Sequence, residues 1–525
     1  MEKIKIIKSL QRVFLYFLPF IIFIPFMAFF YRAYMKKISA FGCFDDCFNI
    51  VAGYFINQGR TLYSDIFFNH QMLMAYLSTF IQNTFDPINI YELILDHRRF
   101  LFVFSFFMDL LIIFRFRFVG LGFVLLYEAT KFYIFGDRFL AESFVVYPFV
   151  YLLGMVWFKI NEKPLMSFEY ILAGVFTWFT IFMREPYIPL ALLLYVLFLW
   201  GKKHVTLKAI SIFVFLSLSA ITFMTVSIPD YFFNIFTVNQ QTILSAEIRS
   251  TNLFGTGFFK IFGYPIFLLL DGKWNFFREI LVVLSFVFLF LVGFLLVRLR
   301  QFKNVVVLVG VLGLANIRVV DVGEIFYAAF HMVVWYGMFI MVIFLLIHDF
   351  GQVQVFKKIF FLVAIVLVCV IFYSIFSKKA FVWEDIDQHS EFITNYGNYL
   401  SYGETIKILS NDNQTLFVDG FDELIHWQAN RPSPYKYSWY TSFMPYISKY
   451  REERTIMLER NPPDFYYGSC PKEVISSRLL PQNVKKDYAR LFSHGKPSCL
   501  HVKKKIIDKI SKEQWKKAEE FGFSI

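Results

Sequence analysis

Two adjacent carboxylates, Asp45 and Asp46, stand just past the first long apolar run of the chain. Such a pair beside a bilayer is costly to hold unless it is solvated or paired. The same connection continues through Gly59-Arg-Thr-Leu-Tyr63-Ser-Asp65 and Asn69-His70-Gln71. Two carboxylates, then an aromatic loop with another Asp and a His, point to chemistry rather than to a plain pore. Adjacent carboxylates can titrate as a coupled pair. Each residue also has a plainer role open to it. Asp45 and Asp46 could be solvated loop residues or a helix N-cap, Tyr63 and Asp65 turn residues, and His70 a cap of the following helix.

The elements that must hold these residues are set by composition. Of 525 residues, 57% are hydrophobic and 72 are Phe. Apolar runs of near-spanning length recur from residue 14 to residue 377, which reads as a polytopic α-helical membrane protein. The runs fall near 14–34, 98–114, 118–136, 141–158, 168–183, 187–200, 206–227, 280–297, 304–318, 325–347 and 359–376, about 11 transmembrane helices in all. The first run follows a basic start and lacks a small-residue cleavage site, so it reads as an uncleaved span rather than a signal peptide. The net charge of +12 is split between short clusters and the last third of the chain. That distribution fits topology determinants and membrane lipids as partners, and no nucleic-acid motif accompanies it.

With the N-terminus cytoplasmic, the inward loops carry Arg115 and Arg117, Lys159 and Lys163, Lys202 and Lys203, Arg298, Arg300 and Lys303, and Lys357 and Lys358. Every one is basic, as the positive-inside rule requires. The first loop (36–97), the Arg184-Glu185 turn, the 228–279 loop, the 318–324 turn and the tail then share the outer face. In the first loop, 45–58 and 70–84 have the apolar spacing of two short helices, suited to the membrane interface. An apolar run near 258–270 reads as interfacial or re-entrant. The expected division is a transmembrane module, 1–378, and a C-terminal extracytoplasmic α/β domain, 379–525.

Strands are expected at Leu416, Asp464 and Cys499, and helices over 423–428, 444–459 and 512–521. No phosphate loop and no metal-spaced Cys/His set occurs in this tail. Of the five cysteines, Cys470 and Cys499 could bond in an oxidising compartment. Cys43 and Cys47 flank the Asp pair at i,i+4 and read as packing residues. Cys369 reads as small apolar filler within a span.

The first outer loop resembles the GT-C superfamily of membrane glycosyltransferases, in particular its protein mannosyltransferase and aminoarabinose transferase branch. There an Asp-Glu or Asp-Asp pair follows the first span, then a Gly-x-x-x-Tyr-x-Asp element, then a His-Pro-Pro or Lys-Pro-Pro turn. Asp45-Asp46, Gly59 to Asp65, and His70 match that order, while Gln71-Met72 stands where the family has Pro-Pro. The resemblance implies transfer of a sugar from a polyprenyl-phosphate donor to a glycan, lipid or protein acceptor at the outer face of the plasma membrane. The acceptor hydroxyl must lose a proton to a carboxylate as it attacks. By the family pattern Asp45 is that base and Asp46 supports it. The lipid phosphate needs cations, for which Arg184 and Arg318 are favoured over Lys131, Arg138 and Arg249. Tyr63, Asp65, His70 and Glu185 complete the candidate substrate-binding set. Arg184 could equally snorkel to headgroups, with Glu185 as its pair. A divalent metal is used by one branch of the superfamily and not by another, which leaves metal dependence open. A lipid-linked glycan flippase or a glycan polymerase or ligase are the competing readings.

Overall fold

The computed structural model describes residues 2–39, 45–240, 276–297, 302–317, 326–350, 369–374, 388–420, 424–437, 447–471 and 480–525. Helix dominates, and among the described residues five helices are long and apolar enough to cross a membrane: Val13–Lys37, Ala141–Ile160, Val205–Phe223, Phe277–Leu296 and Ala329–Asp349. Three shorter apolar helices accompany them, Ser167–Met183, Glu185–Leu199 and Phe302–Ala315. Only 11% of the Val205–Phe223 window is buried within the protein. It presents Phe213, Leu216 and Ile221 outward. Exposed apolar surface costs about 25 cal/mol per Å² in water, so this face suits lipid. The Ala141–Ile160 window, by contrast, is 89% buried and forms the centre of its helix group.

The described chain divides into two compact units. The first takes in residues 1–40, 98–220 and 252–386. Its helices include α1 (Glu2–Lys37), most of α4 (Ile90–Phe116), α5 (Phe118–Thr130), α6 (Ala141–Ile160), α7 (Ser167–Met183), α8 (Ile188–Leu199), most of α9 (Val205–Phe223), α11 (Phe276–Val297), α12 (Phe302–Ala315) and α13 (Val333–Phe350). Two apolar runs differ from simple spans. The run at 98–114 lies inside α4, which carries Arg98, Arg99, Asp109 and Arg115. The run at 118–136 stops being α-helical at Thr130 and continues as a 3₁₀ turn, Lys131–Ile134. Phe135, at φ 61°, closes that turn in the left-handed region. The break coincides with a buried ion pair between Lys131 and Glu128 one turn back.

The second unit takes in residues 41–97, 221–251 and 387–525. It therefore joins the first long loop to the tail in one packing unit. Helices α2 (Asp45–Asn57) and α3 (Leu73–Phe85) match the two helices expected in the loop. Both bury much of their surface rather than one stripe: Ile50, Val51, Ala52, Tyr54 and Phe55 of α2, and Met74, Ala75 and Ile81 of α3. A short helix, α10 (Ile228–Phe232), runs into a π-helical segment, Phe233–Val238.

In the tail, β1 (Leu416–Val418), β2 (Phe465–Tyr467), β3 (Tyr488–Ser493), β4 (Lys496–Lys503) and β5 (Phe523–Ser524) form one sheet of order β1-β2-β4-β3-β5. The β1–β2 pair is parallel and the other pairs are antiparallel. Helices α14 (Gln388–Leu409), α15 (Leu424–Ala429), α16 (Ser448–Arg460) and α17 (Lys512–Glu520) surround it. Side chains alternate across a sheet with period two. Leu416, Val418, Phe465, Tyr467, Leu500 and Val502 thus pack in one cluster with Ile406, Leu409 and Ala518. The intervening Phe417, Tyr466 and His501 form an aromatic row on the other face, joined by Tyr435. The expected strands and helices are all present. Helix α14 and strands β3 and β5 were not anticipated. Cys470 and Cys499 are bonded to each other, Cys369 is free, and Cys47 is in a disulfide rather than simply packed.

Candidate functional site

Asp45 and Asp46 are the first two residues of α2. Asp46 is fully buried. One turn along, Phe48 seats the His70 ring, with centroids 4.8 Å apart. The fold of this unit thus brings the acidic helix and the His70 turn, separate in sequence, against each other.

The far end of α2 shows why Gly59 is needed. The Arg60 N–H reaches back to Phe55 O at 3.1 Å and the Gly59 N–H to Ile56 O at 2.9 Å. This closes the helix with Gly59 at φ 81°, in the left-handed region that glycine adopts without a Cβ penalty. Arg60 then donates to three tail carbonyls, Ser433 O at 2.5 Å, Tyr435 O at 2.8 Å and Lys436 O at 3.1 Å. Burial pulls its guanidinium pKa down, offset in part by the charge of Asp65.

Tyr63 is buried and left-handed at φ 68°. A non-glycine residue there costs about 1–3 kcal/mol and persists only when its surroundings over-determine it. Its hydroxyl donates to His70 O at 2.8 Å, and its own carbonyl accepts from Asn234 Nδ2 at 3.2 Å. Asp65 accepts from the Thr61 N–H at 3.1 Å, a local turn closure. Tyr63 and Asp65 therefore have contacts that shape the loop carrying His70.

Residues 228–239 supply the anchors that sequence reasoning missed. Ser64 donates to Asp230 Oδ2 at 2.7 Å, and Gln71 lies at 3.0 Å from the Tyr231 hydroxyl. Asn239 donates to Asn69 O at 2.9 Å. Asn234, in the π-helical segment, also accepts from the Tyr450 hydroxyl at 2.8 Å. Burial raises the Asp230 pKa, but hydrogen bonds from Ser64 and Ser227 and the charge of Lys449 outweigh it, and the net shift is downward. Gln71, the departure from Pro-Pro, is fully buried and makes a hydrogen bond that proline could not make.

Helices α2 and α3 are locked by a second polar set. A Cβ on Gly53 would stand 2.7 Å from Ser78 Oγ and 2.8 Å from the Thr79 nitrogen, so the helices meet at backbone contact. His97 Nδ1 lies 2.6 Å from Leu93 O. A carbonyl only accepts, so Nδ1 carries the proton and Nε2 accepts from Ser78 Oγ at 2.8 Å. Gln82 donates to Ile50 O at 2.8 Å and accepts from the Trp427 indole at 3.2 Å.

Arg184 and Glu185 belong to the other unit. Arg184 follows α7 in extended backbone and its guanidinium pairs with buried Glu142 at 2.8 Å, with Glu185 at 3.5 Å. Glu142, not only the adjacent Glu185, is thus its partner. Arg138 is buried beside Asp137, and Lys131 beside Glu128. Arg249 and Arg318 with the rest of the 318–324 turn, like Cys43 and the run at 258–270, lie outside the described residues. Among the described residues, no three His, Cys, Asp or Glu side chains converge as ligands for a metal ion.

No protein-family model, no curated protein and no solved structure matches this chain. The class the fold defines is a helical protein with membrane-length apolar helices and a small mixed sheet.

Proposed function

We propose that this protein is a GT-C-like membrane glycosyltransferase that moves a sugar from a polyprenyl-phosphate donor to an acceptor hydroxyl at the outer face of the plasma membrane. About eleven spans, a cytoplasmic N-terminus and an extracytoplasmic tail belong to the same proposal. Asp45 takes the proton from the acceptor hydroxyl as that oxygen attacks the anomeric carbon, in an inverting displacement. Asp46 orients it. Tyr63 and Asp65 hold the loop that presents His70, and Arg184 and Arg318 meet the lipid phosphate. The observation that carries the reading is the setting of the pair: Asp45 and the buried Asp46 open α2, with His70 seated one turn away on Phe48.

The test is transfer from a polyprenyl-phosphate sugar by the purified full chain in vesicles. Asp45→Asn is expected to lower the rate by about 10²–10⁴-fold. Elution volume and helical content should match those of the unsubstituted chain. Full activity in the correctly folded variant removes Asp45 from the chemistry.

A second reading, transport of lipid-linked glycans, is favoured by one observation. Ionisable side chains do lie buried among the helices, Asp109 within α4 and Glu128 and Lys131 at the end of α5. Solute movement in proteoliposomes without glycosyl transfer would select it.

A further inference from the structure

Helices α4, α5 and α6 enclose a polar cluster that the reading above does not use. Glu128 of α5 is ion-paired with Lys131 at 2.7 Å, both fully buried. The Tyr147 hydroxyl of α6 donates to Glu128 at 2.6 Å. Lys131 also donates to Tyr147 at 3.0 Å and to Ser105 of α4 at 3.3 Å. The ammonium is therefore engaged by Glu128 as an ion pair and by Tyr147 and Ser105 as hydrogen bonds.

Asp109, one turn along α4 from Ser105, is the odd member. It is fully buried, and neither of its carboxyl oxygens has a hydrogen-bond partner. Glu128 and Lys131 are its charged neighbours, and Tyr127 and Tyr147 face it from α5 and α6. The Tyr127 hydroxyl also lacks a partner. Tyr336 of α13 and Asp137 are further neighbours of Tyr127, and the Lys131 ammonium lies 5.7 Å from the Tyr34 ring of α1. Two carboxyls and one ammonium would leave one uncompensated negative charge in a water-poor interior. Leaving a buried charge unpaired costs about 3–5 kcal/mol. A divalent ion is a poor remedy, because it takes six or more oxygen ligands and here would meet one uncommitted carboxylate beside an ammonium.

We propose that Asp109 is a proton-binding site inside the helical body, holding one proton at neutral pH beside the Glu128–Lys131 ion pair. The ligand is a proton alone, and the site is independent of whether Asp45 is the base of a sugar transfer. With the proton bound, the cluster is neutral: one carboxylic acid, one carboxylate, one ammonium.

Difference infrared spectroscopy of the full chain in lipid nanodiscs, in H₂O and D₂O at neutral pH, tests this. The carbonyl stretch of a protonated carboxylic acid is expected, shifted on deuteration and by ¹³C labelling of aspartate. It should vanish in Asp109→Asn and persist in Glu128→Gln. In Lys131→Met a second such band should appear as Glu128 loses its counter-ion. Absence of the band from the unsubstituted chain overturns the proposal without any variant. So does its persistence in Asp109→Asn, or its loss on adding sodium chloride at constant pH, which would make this a metal-cation site.

Discussion

Replacing Gly53 by alanine tests how the helix carrying the acidic pair is held. The new Cβ would stand 2.7 Å from Ser78 Oγ, 2.8 Å from Ser78 Cβ and 2.8 Å from the Thr79 nitrogen. Ordinary contact needs about 3.5 Å, so α2 and α3 must part by roughly 0.7 Å. The Thr79 nitrogen is backbone and cannot rotate away. Two hydrogen bonds cross this seam, Gln82 to Ile50 O at 2.8 Å and Thr79 to Gly53 O at 3.3 Å. Overpacking of this kind costs about 1–3 kcal/mol. Alanine returns up to about 1 kcal/mol through helix propensity. The net expectation is a loss of about 1–2 kcal/mol in the local stability of the pair, or roughly 5–30-fold faster amide exchange over 45–57 and 73–85. Hydrogen-exchange mass spectrometry of the full chain reads this directly. Gly293→Ala in α11 is the control, since a Cβ there meets nothing within 4 Å, and its own helix should exchange no faster. Unchanged or slower exchange over α2 and α3 in Gly53→Ala would refute the close-packing argument. Sugar transfer, where measured, should fall with it, because displacement of a catalytic group by about 1 Å can cost about 10²-fold.

Two further outcomes concern the tail. Burial and then the charge of Arg60 bring the His426 pKa to about 3, and burial and then Arg490 bring that of His501 to about 4. Both are neutral when folded, while the unfolded chain binds protons below about pH 6.5. Their stabilisation is therefore full above pH 6.5 and declines as pH falls toward 4, on the order of 1.4 kcal/mol per pH unit for each histidine. Urea titrations from pH 7 to pH 4 should follow that slope, and His426→Gln should flatten it; a flat wild-type profile would remove the assignment. Asp419 accepts from Arg454 at 2.7 and 2.9 Å and from Tyr466 at 2.9 Å, all buried. Asp419→Asn or Arg454→Met alone should each cost about 3–5 kcal/mol, and the double substitution should cost much less than the sum. Additive losses in a double-mutant cycle would argue against a shared buried pair.

Much of the local structure was legible in the sequence. Turn signals and apolar spacing located α2, α3, β1, β2 and β4 to within a few residues, because helix and strand periodicity is a local property. Of residues 488–503, only the strand at Cys499 was read, and β3 was not. The His494-Gly495 turn, with both residues at positive φ, was the signal for the β3–β4 hairpin. Asp109 and Glu128 were also visible as charges within apolar runs, the usual mark of a polar site between helices.

The sequence by itself determined the helical, membrane-length character of the chain, the acidic pair at the start of α2 and the Cys470–Cys499 pairing as one option. Hydropathy and periodicity are summed over neighbours along the chain, so they need no fold to be read. Only the tertiary structure decided that the first loop packs with the tail, that Asn234 and Tyr231 anchor the Tyr63–Gln71 turn, that Arg184 pairs with Glu142, and that Asp109 is left without a partner. Those contacts join residues tens to hundreds of positions apart. Which donor meets which acceptor there depends on the close packing of several elements at once, and no local pattern encodes it.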